Sequence, residues 1–550
     1  MKHVVVIGAG PAGLTAAYEL LKKTQPGAAA RSSTDAGSGA GAAAKTSPAA
    51  EEYQVTVLEE SGKFGGISRT VEYHGNRMDM GGHRFFTKDK SVNAWWDAML
   101  PKQGAPAADD IMLNRKATLT EGGPDPEKED RVMLRRNRVS RIFFNGKFFD
   151  YPITLKAETF KNMGLGTTVV AGFSYIKSAL FKREEKSLED FYINRFGRKL
   201  YSMFFEHYTE NLWGRHPSEI DPSWGAQRVK GVSIRAVLKN AVEKSLGKAN
   251  RKVETSLIEE FSYPKLGPGE LWDVTAEEIR KLGGTILLNS RVTKIVKNKD
   301  NVITEIGYEN DGDFKTLPAD IVISSMPIRD LVGGMNDVPA DPARIAAGLP
   351  YRDYMTLGVL IPHLNLVNST GTATVGNIVP DNWVYVHDRT VTMGRFQIYN
   401  NWSPYLVKDL EHTVWMGLEY FCTEGDKMWS MTDEEFAQMA IKEMVTLKLI
   451  NSTDEVMDYH VERVKKAYPA YFDTYEEMDK LVGYLNTIPN LYCVGRNGQH
   501  RYNNIDHSMV TSFETVKNIL SGRTDRSNIW NVNTEKEYHE TTKENEVEVD

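Results

Sequence analysis

The sequence predicts an α/β protein of two domains, one built on a parallel sheet and the other on an antiparallel sheet with helices. Three observations predict it. Residues 3–7 are a short β-branched run that stops at a glycine, as a buried parallel strand does, and a helical pattern follows over 11–23. The chain has 550 residues, too many for one compact core. Further along, strand-like segments at 354–361, 383–387, 392–400 and 413–421 form a set assigned to an antiparallel sheet.

The remaining elements follow in order. After the first helix, an insertion over 24–52 contains, from Gly27 to about Ala50, a stretch built almost entirely of Ala, Gly, Ser and Thr. Such a stretch buries too little apolar surface to fold and reads as a disordered insertion. Strand character resumes at 54–58. Residues 102–130, rich in Pro, Ala, Asp and Glu, read as a surface excursion. Asn145-Gly146 lies between aromatic-rich arms, so 141–153 reads as a hairpin. Residues 155–250 are mainly helical by pattern. A helix over 271–282 precedes strands near 285–289, 291–297 and 320–324. Another helix covers 433–449, and 490–494 is a last buried strand before Gly495. Residues 527–550 read as an acidic disordered tail.

Composition narrows the function classes. The net charge of −7 sits largely in residues 531–550, where seven acids face Lys536 and Lys543, so the rest of the chain is near neutral. That excludes a general basic field for nucleic acid. The two cysteines, Cys422 and Cys493, exclude a disulfide framework, lack metal-ligand spacing and fit a cytoplasmic location. Gly8, Gly10, Pro11 and Gly13 interrupt the apolar N-terminus, so no signal peptide is expected there. No apolar run reaches the ~18 residues that a membrane span needs. No metal site is expected, and oligomeric state is not legible.

The chemistry begins at Gly8-Ala9-Gly10-Pro11-Ala12-Gly13, a GxGxxG between a strand and a helix. Gly8 makes the tight turn, Gly10 lets the backbone approach a pyrophosphate, and Gly13 lets helix and strand pack closely. The helix N-terminus supplies N–H groups and a positive dipole end. Glu59 ends the second strand, where it could bind a ribose hydroxyl, and its distance from Gly13 becomes usual once the low-complexity insertion is removed. Gly65-Gly66-Ile67-Ser68-Arg69 then resembles the Gly-Gly-x-x-Arg segment of FAD proteins similar to glutathione reductase and the amine oxidases. Tyr492-Cys-Val-Gly495-Arg496 resembles the last strand of that family, whose glycine approaches the flavin.

This implies a Rossmann-like FAD-binding domain of the glutathione reductase type, interrupted by the substrate domain. The FAD domain is assigned 1–95, 266–345 and 466–526. The substrate domain is assigned 131–265, with its hairpin and helices, and 346–465, with its antiparallel sheet. The cofactor set is Gly8, Gly10, Pro11, Ala12, Gly13, Glu59, Gly65, Gly66, Ser68, Arg69, Gly82, His83, Val292, Gly495, Asp506, His507 and Ser508.

Other segments resemble the UDP-galactopyranose mutases, in order over most of the chain. Asp79-Met-Gly-Gly-His83 is similar to their Asp-x-Gly-Gly-His beside the isoalloxazine. Tyr208-Thr-Glu-Asn-Leu-Trp213 and Trp224-Gly-Ala-Gln-Arg228-Val229 are similar to their Tyr-x-x-x-x-Trp and Trp-x-x-x-Arg-Val elements. Tyr385 lies ten residues before Arg395, an arrangement that grips the nucleotide-sugar diphosphate in those enzymes. Tyr468, Arg496, Tyr502 and Asn504 fall in matching C-terminal segments. Arginine forks match diphosphate oxygens, and tyrosine hydroxyls add donors without charge.

The resemblance implies a redox-neutral mutase interconverting the pyranose and furanose forms of a nucleotide-diphosphate sugar. FAD is active when reduced, its N5 the nucleophile and NAD(P)H a candidate reductant. Trp213, Arg228, Tyr385, Arg395, Tyr468, Arg496, Tyr502 and Asn504 would bind substrate, with His83, Arg395 and Arg496 at the reacting centre. Departures exist: Arg84 and Lys88 replace apolar or neutral residues, and no uracil-binding motif is found in 155–225. Several alternatives remain open. Each arginine alone also fits an ion pair, Trp213 fits a core, and Asp506-His507 fits a helix cap. The rival activity is an FAD-dependent oxidoreductase of the amine oxidase or protoporphyrinogen oxidase type, which needs an apolar channel instead of an arginine cluster.

Overall fold

Strand Lys2–Ile7 is buried from Val4 onward and occupies the centre of a five-stranded parallel sheet. The order is Leu491–Cys493, Ile321–Ser324, Lys2–Ile7, Tyr53–Leu58 and Thr285–Leu287, with Val4 opposite both Ile321 and Val55. The structure is a computed structural model and describes residues 1–24, 52–151, 153, 157–222 and 260–533. Most of the 24–52 insertion, the Trp224–Val229 segment with Arg228, and the tail from 534 lie outside the described residues.

Alternation along the central strand makes two cores. Val4 and Val6 pack with helices Pro11–Thr24, Gly269–Lys281 and Ile505–Ser521. Val5 and Ile7 face a three-stranded antiparallel sheet of Ser290–Lys297, Ile303–Asn310 and Asp313–Pro318. Apolar side chains on both faces explain why this strand reads as an unbroken hydrophobic run.

The second sheet has seven strands: Asp458–Pro469, Tyr351–Ile361, Val414–Cys422, Arg395–Ile398, Trp383–Val386, Ser140–Phe144 and Lys147–Asp150. All neighbours are antiparallel except Trp383–Val386 and Ser140–Phe144, which run parallel. Strand Asp458–Pro469 carries this sheet past the 465/466 boundary. Asn145 and Gly146 both have positive φ, as the tight Asn-Gly hairpin turn requires. Helix Asp433–Thr446, started by a Thr432/Glu435 capping box, covers one face, where Val384, Phe396 and Leu418 are buried. Alternation therefore turns Tyr385, Arg395 and Glu419 to the opposite face. Their register, Tyr385 opposite Arg395 and Arg395 opposite Glu419, sets them in one row across three strands.

Two expectations are corrected. Residues 102–130 are more than a surface excursion, because Ala107, Asp109 and Asp110 are buried around helix Ala108–Met112. Asp109 accepts from Arg115 and from the buried Arg136 at 3.0 Å, so charge pairing replaces apolar content as the anchor. The tail also begins later than 527. Ser527–Trp530 is helical, Ile529 and Trp530 are buried, and Arg501 holds the Trp530 and Val532 carbonyls.

Candidate active site

The two sheets flank one cavity of about 2580 Å³. Its first part is built by the GxGxxG turn. Gly8 has φ +98°, and a Cβ there would lie 2.2 Å from Ser325 Oγ. A Cβ on Gly13 would lie 1.9 Å from the Gly8 carbonyl, so this glycine serves helix–strand packing and is not in the cavity wall. Gly10 differs: a Cβ there would meet no protein atom closer than Gly66 Cα at 3.9 Å. Nothing in the protein demands glycine at that position, and the space above it opens into the cavity, as the approach of a pyrophosphate requires.

The start of helix Pro11–Thr24 and that of helix Ile505–Ser521 both border the cavity, through Pro11, Ala12, Asn504 and Asp506. Two helix N-termini concentrate unpaired N–H groups and positive dipole ends there. Glu59 lies at the wall, accepting from Ala9 N–H at 2.7 Å and Ser61 Oγ at 2.7 Å. Gly66, Ser68, Arg69, Gly82, His83, Val292, Gly495, His507 and Ser508 also line it. Gly65 does not; it takes φ +95° beneath Trp272 and turns the chain. Arg69 donates to the Gly66 carbonyl and to Glu462. The Asn504 N–H donates to His507 Nδ1 at 3.3 Å, so His507 helps close the last helix while bordering the cavity.

Asp79 is fully buried, outside the cavity wall. It accepts from Tyr263 and from Thr70 Oγ1 at 2.9 Å, and burial pushes its carboxyl up to about 7. It anchors the turn that presents His83, whose Nδ1 bonds the Gly81 carbonyl at 3.0 Å. Burial, then the Arg496 and Arg395 charges, lower the His83 pKa to about 3, so its imidazole is neutral at ordinary pH. A neutral ring supplies hydrogen bonds without adding charge.

The far part of the cavity collects arginine and tyrosine. Arg395 donates to Tyr468 OH at 2.7 Å and pairs with Glu419 Oε2 at 2.7 Å. Arg496 is held by the Asn503 and Ala467 carbonyls at 2.9 and 3.1 Å, with its guanidinium over the Tyr502 ring at 4.6 Å. Tyr468 and Tyr502 stack 5.7 Å apart, and Tyr385 stacks on Tyr151 at 4.3 Å. Burial raises the Tyr208 and Tyr468 hydroxyl pKa values, opposed by Arg395, so both are neutral donors. Trp213 is buried in the core that forms this wall, between the two roles left open for it.

Two features escaped the sequence reading. Glu419, 1% exposed, also accepts from Gln397 at 2.7 Å and places a carboxylate among the arginines. Only the strand register could have shown this, because Glu419 sits in an otherwise apolar run. Helix Leu188–Phe204 also turns Leu188, Tyr192, Phe196, Leu200 and Phe204 into the cavity, a four-residue spacing that makes one apolar arm. That spacing was readable, yet it cannot distinguish a cavity wall from a solid core. Among the described residues, no group of three or more His, Cys, Asp or Glu is arranged to hold a metal ion.

A parallel sheet with a glycine turn, two helix N-termini and a carboxylate at the end of the second strand, joined to a large second sheet, defines a flavoprotein that binds FAD. The family of flavin containing amine oxidoreductases matches residues 11–504, and the chain belongs to it. Among solved structures, a reduced UDP-galactopyranose mutase is similar, with TM-score 0.70, 17% identity and 97% of each chain covered. A candidate protoporphyrinogen oxidase from Exiguobacterium sp. 255-15 has TM-score 0.60 at 14% identity, over 95% of this chain and 99% of that one. A putrescine oxidase has TM-score 0.52 at 14% identity, over 95% and 99%. At these identities the likeness is one of fold. No curated protein sequence matches the chain.

Proposed function

We propose that this flavoenzyme interconverts the pyranose and furanose forms of a nucleotide-diphosphate sugar without net oxidation. The observation that carries the reading is the Arg395, Arg496, Tyr385, Tyr468 and Tyr502 cluster on one wall of the FAD cavity. Reduced FAD would supply the nucleophile, its N5, toward the anomeric carbon. The chain's own residues do the rest. Arg395 and Arg496 hold the diphosphate as it becomes a leaving group, and Tyr468 and Tyr208 donate neutral hydrogen bonds. Glu419 fixes the Arg395 fork through one nitrogen, leaving Arg395 Nε buried and without a hydrogen-bond partner among the described residues. Neutral His83 borders the site without repelling the arginines, and Arg228 is assigned to the same substrate on sequence alone.

The test is a nucleotide-sugar screen with dithionite-reduced and oxidised enzyme. Reduced enzyme should turn over without consuming reductant, and oxidised enzyme should be inactive. Arg395→Ala and Arg496→Ala should each weaken substrate binding by roughly 1.5–3 kcal/mol, the worth of a charge-assisted hydrogen bond. Arg→Lys should rescue only partly, since an ammonium lacks the fork. A second reading is FAD-dependent oxidation of a small organic substrate, favoured by the apolar arm along Leu188, Tyr192, Phe196 and Leu200. It requires activity with oxidised flavin, one acceptor consumed per turnover and little sensitivity to either arginine. That pattern would overturn the mutase reading.

A further inference from the structure

Helix Leu165–Leu180 is inverted relative to an ordinary surface helix, which turns its large apolar residues toward the core. At about 100° per residue, Leu165, Val169, Phe173, Ile176 and Leu180 form one stripe. That stripe faces solvent: Leu165 is 83% exposed, Phe173 71% and Leu180 72%. The opposite side carries Ala171, Ser174 and Ser178, and it is the side that docks. The Lys199 N–H donates to Ser174 Oγ at 3.0 Å, and Gly197 of the neighbouring helix approaches so closely that a Cβ there would lie 2.7 Å from the Tyr175 nitrogen. Small residues inside and large apolar residues outside are the pattern of a helix whose outer face meets something apolar.

Charge identifies that partner. Over 157–186, Lys161, Lys177, Lys182, Arg183 and Lys186 are exposed against Glu158, Glu184 and Glu185, a net of +2, with Arg183 paired to Asp190. An apolar stripe with a cationic border matches an anionic bilayer surface, where the stripe enters the acyl boundary and the cations meet head-group phosphates. The helix carries Lys177 and has 16 residues, and no described helix is long and apolar enough to cross a membrane. It would therefore lie in the interface plane. It also covers helix Leu188–Phe204, whose residues Leu188, Tyr192, Phe196 and Leu200 line the apolar arm of the cavity.

We propose that the outer face of Leu165–Leu180, with its cationic border, docks the protein on an anionic lipid surface. This goes beyond the chemistry at the flavin and does not depend on which reading of that chemistry holds. The test uses the full-length, FAD-loaded protein in vesicle flotation, with phosphatidylcholine alone or mixed with phosphatidylglycerol. Phosphatidylglycerol vesicles should carry the protein up, and high salt or neutral vesicles should leave most of it behind. The Phe173→Gln/Leu180→Gln double variant should lose at least tenfold in vesicle-bound fraction, with flavin absorbance and melting temperature unchanged. Lys177→Gln/Lys182→Gln should lose binding to the anionic vesicles in particular. If the double variant does not keep its flavin, the lysine variant and the salt series decide alone. A protein that ignores vesicles and is monomeric has this face covered by its own chain, which overturns the proposal. A dimer that the apolar variant dissociates assigns the face to a second copy and overturns it as well. Equal capture by neutral vesicles, or capture that neither variant reduces, also counts against it.

Discussion

Single glycines in the nucleotide turn do different work, and the difference can be measured. Gly13 is required by the Gly8 carbonyl 1.9 Å from where its Cβ would be, whereas Gly10 faces open cavity. Gly10→Val should therefore give a folded protein that purifies without flavin absorbance and does not recover it with added FAD. Gly13→Val should fail to fold, as seen by circular dichroism. A folded, yellow Gly10→Val protein would refute the placement of the pyrophosphate. Asp79 gives a second test at this scale. Its folded pKa of about 7 lies above its ordinary 3.8, so the folded state keeps the proton longer than the unfolded chain. Stability is then lost as pH rises between roughly 4 and 7. Asp79→Asn removes that loss, so the melting temperature of wild type relative to Asp79→Asn should fall across this window, as calorimetry can follow. The tight turn at Gly8 and the close packing at Gly13 were readable from the motif. The burial of Asp79 was not, since Asp-x-Gly-Gly-His reads as a flavin-side segment and gives no sign of Tyr263, 184 positions away, as its partner.

At the level of elements, sequence pattern and structure agree where period and turn chemistry speak together. The Asn145-Gly146 hairpin and the strands flanking Arg395 are read from local residues because their local preferences match the fold. The 102–130 segment was misread because its anchors are charged, and hydrophobicity patterns do not register an Asp109–Arg136 pair. Glu419 was missed for the converse reason: burial on a strand is visible in sequence, but its neighbours across the sheet are fixed by register. Helix Leu188–Phe204 carries a further local conflict, with Gly197 at φ +77° within it. Gly197→Ala would meet both an unfavourable backbone and the Tyr175 nitrogen, at a cost of about 2 kcal/mol or more. The measurement is denaturant unfolding. A shift under 0.5 kcal/mol would show that the two helices can separate without penalty.

Across the whole molecule, what the sequence made legible is the FAD architecture, because its motifs lie on single short segments. The cluster around Arg395 and Tyr468 was assembled by resemblance, since these two are 73 positions apart and meet only through the strand order of the seven-stranded sheet. The low-complexity insertion joins the end of helix Pro11–Thr24 to the start of strand Tyr53–Leu58, where Tyr53 pairs with Lys2 at the end of the sheet away from the nucleotide turn. Its composition supports no core, so removing 28–50 should leave flavin content and melting temperature nearly unchanged. A loss of several degrees would show that the segment packs.

The position of strand Lys2–Ile7 also sets a timetable for synthesis. Strand Lys2–Ile7, the middle of the parallel sheet, leaves the ribosome long before its neighbour Ile321–Ser324, and the next strand, Leu491–Cys493, follows after that. The first helix is fastened later still, when Ser512 Oγ donates to the Ala12 carbonyl at 2.7 Å. Until then the nascent chain carries an apolar strand with an unpaired edge, the kind of surface on which chains associate wrongly. The whole stretch from Ala12 to Ser512 must emerge before the cofactor pocket can close. FAD therefore acts late, as the ligand that seals a nearly finished fold, and flavin supply should govern how much of the newly made protein escapes aggregation.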